Sequence, residues 1–488
     1  MPGAFTAKGV VPIREVAGGL LQALAKRVPL GQLSAESGVA EEKLREWMGR
    51  VPGDAEAGAI VRLCQKLGEF ALLSEHGITP VSYDLRGEFD LTSPPVGYDW
   101  IPPRESLLRK PTEIAGFKVD YPLGLPASVL AANAKWIEFY ANRGFDILTY
   151  KTVRSVTHSE HPWPNWVFLK GSPVFDPLPE KGRRRVTGGA DYWPVDDPAD
   201  VSMANSFGIP SFAPEWWQDD VARARDVIHR GQVLIVSVVA TDASSEDAMK
   251  DDFVRTARLA KEAGAQVVEA NFSCPNVTGE ERELGEVCEN AERAGRIAKA
   301  LKGALQDTPL FLKIGYLEKP NLMQFLDRTH EYIRGITAIN TISAEVVDEK
   351  GNHVFPGRKQ AGVSGRAIRE RSKEVLHNLV QWRNKLDGTH SNFTILSVGG
   401  VGTKEDVDGR LALLGQTGGV EICTAAFYDP DIGLKIRGAI TPRTKRPSRV
   451  ATEFKFLGKF IEDTFLHPSR ASVVKVHSRT GQVFVRHK

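Results

Sequence analysis

Gln266-Val267-Val268-Glu269-Ala270-Asn271-Phe272-Ser273 runs directly into Cys274-Pro275-Asn276. The first eight residues read as a buried strand, and the proline turns the end of that strand into a loop. Seven further runs of the same kind recur along the chain: 124–128, 145–151, 233–239, 310–315, 336–342, 393–400 and 420–425. Stretches of helical spacing lie between them. Continuous apolar strands with interposed helices indicate a parallel sheet covered by helices. Eight such units predict a (β/α)8 barrel over residues 121–440, with its chemistry at the C-terminal ends of the strands.

Two segments break the repeat. Residues 152–231 form a long insertion after the second strand, rich in Pro, Trp and Gly. The sixth strand is followed by the irregular stretch 343–365. Both belong to the catalytic face of a barrel and read as lid or site-wall elements.

The flanks differ from the centre. Residues 1–80 predict a small helical domain, with Leu20, Leu21, Leu24 and Ala25 at helical spacing. Leu30 to Arg50 reads as helix, tight turn at Gly38, helix, which is similar to a helix-turn-helix. Glu41 and Glu42 would meet phosphate with negative charge, and residues 1–75 hold nine basic and nine acidic side chains. Helical packing or dimerisation is therefore the plainer reading. A Pro-rich connector spans 81–120. The tail, 441–488, is basic and predicts a helix followed by a hairpin turning near Thr480-Gly481.

The whole chain has 488 residues, with 63 Lys/Arg against 61 Asp/Glu. That length suits about three domain-sized units, and the near-neutral balance argues against bulk polyanion binding. Four cysteines without C-x-x-C spacing argue against a zinc knuckle or iron–sulfur cluster, so no metal is expected. No signal sequence or membrane-spanning run is read, which makes the cytoplasm the expected location.

The loop motifs carry the chemistry. Asn271-Phe272-Ser273-Cys274-Pro275-Asn276 resembles the N-x-S-C-P-N signature of dihydroorotate dehydrogenases with a cysteine base. Six further segments appear in family order: Tyr150-Lys151-Thr152, Asn205-Ser206-Phe207-Gly208-Ile209-Pro210, Phe311-Leu312-Lys313, Ile339-Asn340-Thr341, Gly362-Val363-Ser364-Gly365-Arg366 and Ser397-Val398-Gly399-Gly400-Val401.

This resemblance implies an FMN-binding TIM barrel that oxidises dihydroorotate to orotate. Cys274 would take the C5 proton and FMN the C6 hydride, with Lys151 as a second catalytic residue. Substrate would meet Asn205, Ser206, Phe207, Gly208, Ile209, Asn271, Asn276, Asn340 and Thr341. Amides suit this role because each offers donors and an acceptor to the imide and carboxylate edge of the ring. The cofactor would meet Ala127, Ser128, Lys151, Thr152, Asn271, Lys313, Ile339, Gly365, Gly399, Gly400, Cys423 and Thr424. Lys313 places a cation where charge grows on flavin reduction. The glycines after the seventh strand and Cys423-Thr424 after the eighth would present N–H groups to a single phosphate.

Three positions depart from the family pattern: Val129, Ala361 and Cys423 stand where glycine is usual, each adding atoms near the expected flavin. The partner is a small molecule, and the resemblance implies a homodimer. Two rival readings are a flavin-dependent dihydropyrimidine dehydrogenase or reductase, and a nucleic-acid-binding regulator that keeps the barrel. Fumarate, a quinone, oxygen and a partner protein all stay open as electron acceptor.

Overall fold

The computed structural model describes residues 13–52, 56, 60, 63–64, 91–92, 94, 101–171, 173–189, 198–273, 286–386, 392–439, 473–476 and 483–486. The chain forms two compact units, the larger comprising 86–94 and 107–437.

Eight parallel strands close a barrel in the larger unit. They are β3 (Leu123–Leu125), β4 (Ile147–Val153), β8 (Val233–Val238), β9 (Val267–Asn271), β10 (Leu310–Ile314), β11 (Gly335–Ala338), β14 (Thr394–Val398) and β15 (Gly418–Glu421). Each pairs with the next, and β15 closes on β3. All eight runs predicted as strands supply these eight, in order. They are almost wholly buried, since helices cover the outside and side chains fill the inside.

The interior is built in layers. A hairpin of β1 (Thr112–Ile114) and β2 (Phe117–Val119) contributes Ile114 and Val119. These pack with Ile147, Val233, Ile235, Val267, Phe311 and Leu396. Strand side chains alternate, so the next inward positions up β4 and β9 are Thr149 and Glu269. Both are fully buried, as are Thr337 and Glu421. An apolar layer therefore gives way to a polar one beneath the C-terminal rim.

The two breaks in the repeat prove to be one structure. β5 (Trp166–Leu169), β6 (Arg185–Gly189) and β7 (Ser202–Asn205) lie in the insertion. β12 (Ile342–Val347) and β13 (Gln360–Gly365) lie in the segment after β11. Together they close a second, five-stranded sheet in the order β12-β13-β7-β5-β6. The stretch expected to be irregular is thus mostly a β-hairpin. The inserted part also ends earlier than 231. Pro214–Val227 is a regular helix with proline in its first turn, packed on the helix Ala134–Ala141.

In the smaller unit, α1 (Ile13–Ala25), α2 (Leu30–Ser37) and α3 (Glu41–Gly49) bury Leu20, Leu21, Leu24, Leu33, Leu44 and Trp47 together. Gly38 ends α2 at φ 67°, its N–H donating to the Ser34 carbonyl at 2.9 Å. Only glycine adopts that left-handed conformation without strain, which is why the turn was legible. β16 (Val473–Val476) and β17 (Val483–Arg486) pair antiparallel, as the tail pattern suggested. The helix expected before them, and residues 81–90, 93 and 95–100 of the connector, lie outside the described residues.

Candidate functional site

A cleft of about 1140 Å³, including the part open to solvent, lies at the C-terminal ends of the barrel strands and against the small sheet. Barrel strands and their ends supply Lys151 and Thr152 on β4, Asn271 on β9, Lys313 on β10, Ile339 and Asn340 after β11, Gly399 and Gly400 after β14, and Cys423 and Thr424 after β15. Ala127, Ser128 and Val129 close the β3 side. The small sheet adds Asn205 from the end of β7, with Phe207, Gly208 and Ile209 beyond it, and Gly365 from β13. Thr341 completes the set.

Their hydrogen bonds show what each is held by. Asn271 is buried, and its Oδ1 accepts the Ser273 amide at 3.2 Å. Asn340 donates to the Ser273 carbonyl at 2.6 Å and accepts the Thr341 amide at 2.9 Å. Much of its amide is therefore spent on the protein, fixing the chain just before Cys274. Asn205 donates to the Gly362 carbonyl at 3.4 Å, across the β7–β13 pairing. The Thr341 hydroxyl is buried without a hydrogen-bond partner among the described residues. Such a group calls for a ligand or water.

Lys313 is buried, and its ammonium donates to the Ala127 carbonyl at 3.4 Å. Gly399 (φ 116°) and Gly400 (φ 69°) form a tight turn whose carbonyls accept from Arg410 and Arg369, both at 2.7 Å. Burial pushes the Cys423 thiol up, which keeps it neutral near pH 7. Burial, reinforced by Glu269, pushes the Glu421 carboxyl up to about 8, while Lys313 and the Thr149 hydroxyl pull it back.

Two expectations need amendment. Ser206 does not line the cleft: it is buried behind the wall, its amide donating to the Asn165 carbonyl at 2.7 Å. Ala361 is buried inside β13 and paired with Ala344, so it adds no atoms to the cleft. Val129 and Cys423 do line it. Cys274 and Asn276 lie outside the described residues.

Met203, Ile368, Val398, Val401, Glu421 and Phe427 also line the cleft and were not singled out as site residues. Two of them carried a readable signal. Met203 precedes Asn205 by two positions on β7 and so shares its face, and Glu421 ends β15 two positions before Cys423.

A family model described as dihydroorotate dehydrogenase matches residues 191–441. The dihydroorotate dehydrogenase of Dictyostelium discoideum is 32% identical over 333 residues, spanning 66% of this chain and 86% of that protein. This chain belongs to the dihydroorotate dehydrogenase family.

Other members of the dihydroorotate dehydrogenase family are similar at lower identity. One from Methanocaldococcus jannaschii, named dihydroorotate dehydrogenase B (NAD(+)), catalytic subunit, is 24% identical over 60% of this chain and 80% of its own. One from Limosilactobacillus reuteri, named dihydroorotate dehydrogenase A (fumarate), is 26% identical over 38% and 57%. A solved structure, titled as DHODH in complex with ferulenol from Eimeria tenella, superposes with a TM-score of 0.49 at 16% identity, over 84% of this chain and 94% of that one. As a dihydroorotate dehydrogenase family member the chain is a flavoprotein oxidoreductase. The cleft fits a flavin: it offers a buried ammonium, a glycine turn at the rim and an unpartnered hydroxyl. No helix among the described residues is long and apolar enough to cross a membrane. Among the same residues, no group of three His, Cys, Asp or Glu side chains is placed to hold a metal ion.

Proposed function

We propose that this chain oxidises dihydroorotate to orotate in pyrimidine biosynthesis, with FMN as the cofactor held in the cleft. The observation that carries the reading is convergence. Lys151, Asn205, Asn271, Asn340 and Lys313 come from five different strands or strand ends, yet all face one cleft in a chain of this family.

Bound FMN supplies the acceptor, its N5, for the hydride that leaves C6 of the substrate. The chain does the rest. Cys274 takes the C5 proton, a role a thiol fills near neutral pH when its environment favours the thiolate. Asn271 and Asn205 offer amides to the ring edge. Asn340 acts mainly by holding the Ser273 carbonyl, which sets the start of the loop bearing Cys274. Lys313 opposes the negative charge that grows on the cofactor ring, and the Gly399-Gly400 turn with Thr424 receives the phosphate.

The deciding experiment is an anaerobic visible spectrum of the purified protein before and after dihydroorotate is added. Fast bleaching of a flavin band is the expected result. A flavin that stays oxidised would move the substrate to another ring, and absence of flavin would remove the reading. Cys274→Ala should retain the flavin and slow its reduction by about 10²–10⁴-fold. Unchanged kinetics would take Cys274 out of the mechanism. The relatives are named for different acceptors, NAD(+) and fumarate, so reoxidation of the bleached protein with each is the next assay.

A further inference from the structure

The polar layer below the cleft is an arrangement the reaction above does not use. Glu269, Thr337, Glu421 and Thr149 come from β9, β11, β15 and β4, which are alternate strands round the ring. That is how one layer of a barrel is filled. Branched apolar side chains normally fill it; here two carboxyls and two hydroxyls do. In the ring order β9-β10-β11-β14-β15-β3-β4-β8, the strands bearing Glu269 and Glu421 are diametrically opposed.

Each carboxyl has one oxygen satisfied by a threonine. The Thr337 hydroxyl donates to Glu269 Oε2 at 2.6 Å, and the Thr149 hydroxyl donates to Glu421 Oε1 at 3.2 Å. The remaining oxygens, Glu269 Oε1 and Glu421 Oε2, are buried with no hydrogen-bond partner among the described residues. The charged and titratable groups that face Glu421 are Glu269, Lys313 on β10 and the Cys423 thiol two residues beyond it. Its neighbours in the flanking strands, Gly124 of β3 and Val398 of β14, bring no charge. Two buried carboxylates against one ammonium would leave a net negative charge out of water, which is costly. One proton removes that charge.

We propose that the Glu421 carboxyl, facing Glu269 across the barrel, keeps a proton that balances this layer against Lys313 and makes Glu421 a positioning element that sets the charge under the cofactor. The effect on the cofactor rests on the FMN reading; the proton kept by Glu421 does not. Burial and the facing Glu269 raise Glu421 to about 8, so its ionisation belongs to alkaline solution. Above that pH the layer holds one more negative charge, and the bound flavin becomes harder to reduce.

Two measurements test this. The first is the infrared difference spectrum of the purified protein between about pH 6 and pH 10. The carbonyl stretch of a protonated carboxyl should be present at neutral pH and disappear with a midpoint near pH 8. Glu421→Gln should lack that component, and Glu269→Gln should shift it to lower pH. Other buried carboxyls raised by desolvation, Glu286 and Asp431, are common to all three proteins and cancel. A wild type without the band, or a band unchanged in both variants, overturns the proposal.

The second is the flavin midpoint potential against pH. Glutamine is electrically equivalent to a protonated glutamic acid. The wild-type and Glu421→Gln curves should therefore coincide at neutral pH and part above about pH 8, the wild type lying lower. A constant offset at every pH would mean a purely structural role and overturns the charge-setting part. If the protein binds no flavin, the function proposed above fails, while the infrared arm, which needs neither flavin nor turnover, still decides whether Glu421 keeps its proton.

Discussion

The cleft has two walls of different origin. The barrel wall is made of strands whose partners are their neighbours in the repeat, covered by helices and filled with side chains. The wall from the small sheet is made of strands far apart in sequence. Arg185 of β6 pairs in register with Glu345 of β12, and Asn205 of β7 with Gly362 of β13. The barrel places the cations and the glycine turn. The small sheet places Asn205, the following Phe207-Gly208-Ile209 segment and Gly365. A family fold can thus be carried by one region while the shape of its site is completed by another.

The contrast can be broken from either side. On the barrel side, Glu421 should make stability depend on pH with an inverted sign for a carboxyl. Its native pKa, about 8, lies above the ordinary 4.5. Between those values the unfolded chain loses a proton that the native chain keeps. Stability therefore falls as pH rises through that window and levels off above it. The effect is on the order of a few kcal/mol, and Glu421→Gln should flatten the slope of Tm against pH. An unchanged slope would place the ionisation elsewhere.

At the joint between the walls, Gly365 has φ 81°, and a Cβ there would overlap the Val201 carbonyl oxygen. Gly365→Ala should cost about 3 kcal/mol, seen as a lower Tm. A smaller loss would show that the joint yields. On the small-sheet side, Asn205→Ala should reduce kcat/KM roughly 10–100-fold with flavin retained, the size expected for one lost hydrogen bond to a charged ligand. Loss of flavin instead would shift Asn205 from substrate to cofactor. The smallest effect is expected at Arg185. Its pair with Glu345 is exposed, 59% on the arginine side, so Arg185→Ala should leave Tm unchanged within error.

The same contrast explains what was legible in the sequence. β9 and β14 announce themselves as buried apolar runs between helices, and Gly38 as the end of a helix. β6 is Arg-Val-Thr-Gly-Gly, too short and too polar to be read as a strand by pattern. Gly188 is required there because a Cβ would lie 2.7 Å from the Phe168 carbonyl oxygen across the pairing, and a single residue does not reveal its distant partner. The loop asparagines were legible as a set, yet Asn340's commitment to the Ser273 carbonyl was not, since that contact joins two strand ends 67 residues apart. Glu269 and Glu421 each sit in plain view in the sequence. Their opposition follows only from closure of the ring.

Closure of the small sheet also has a kinetic side. β5, β6 and β7 have emerged from the ribosome long before β12 and β13 exist, and they find those partners only after most of the barrel strands between have been made. Pairings of such long sequence separation form slowly, because the loop entropy is lost before the contacts are gained. Closure of the barrel, β15 on β3, spans a still longer separation, so until both sheets close each wall of the cleft presents open strand edges, the kind of surface on which a nascent chain aggregates. A ligand that bridges both walls would capture the chain at that stage, giving the cofactor a part in folding as well as in turnover.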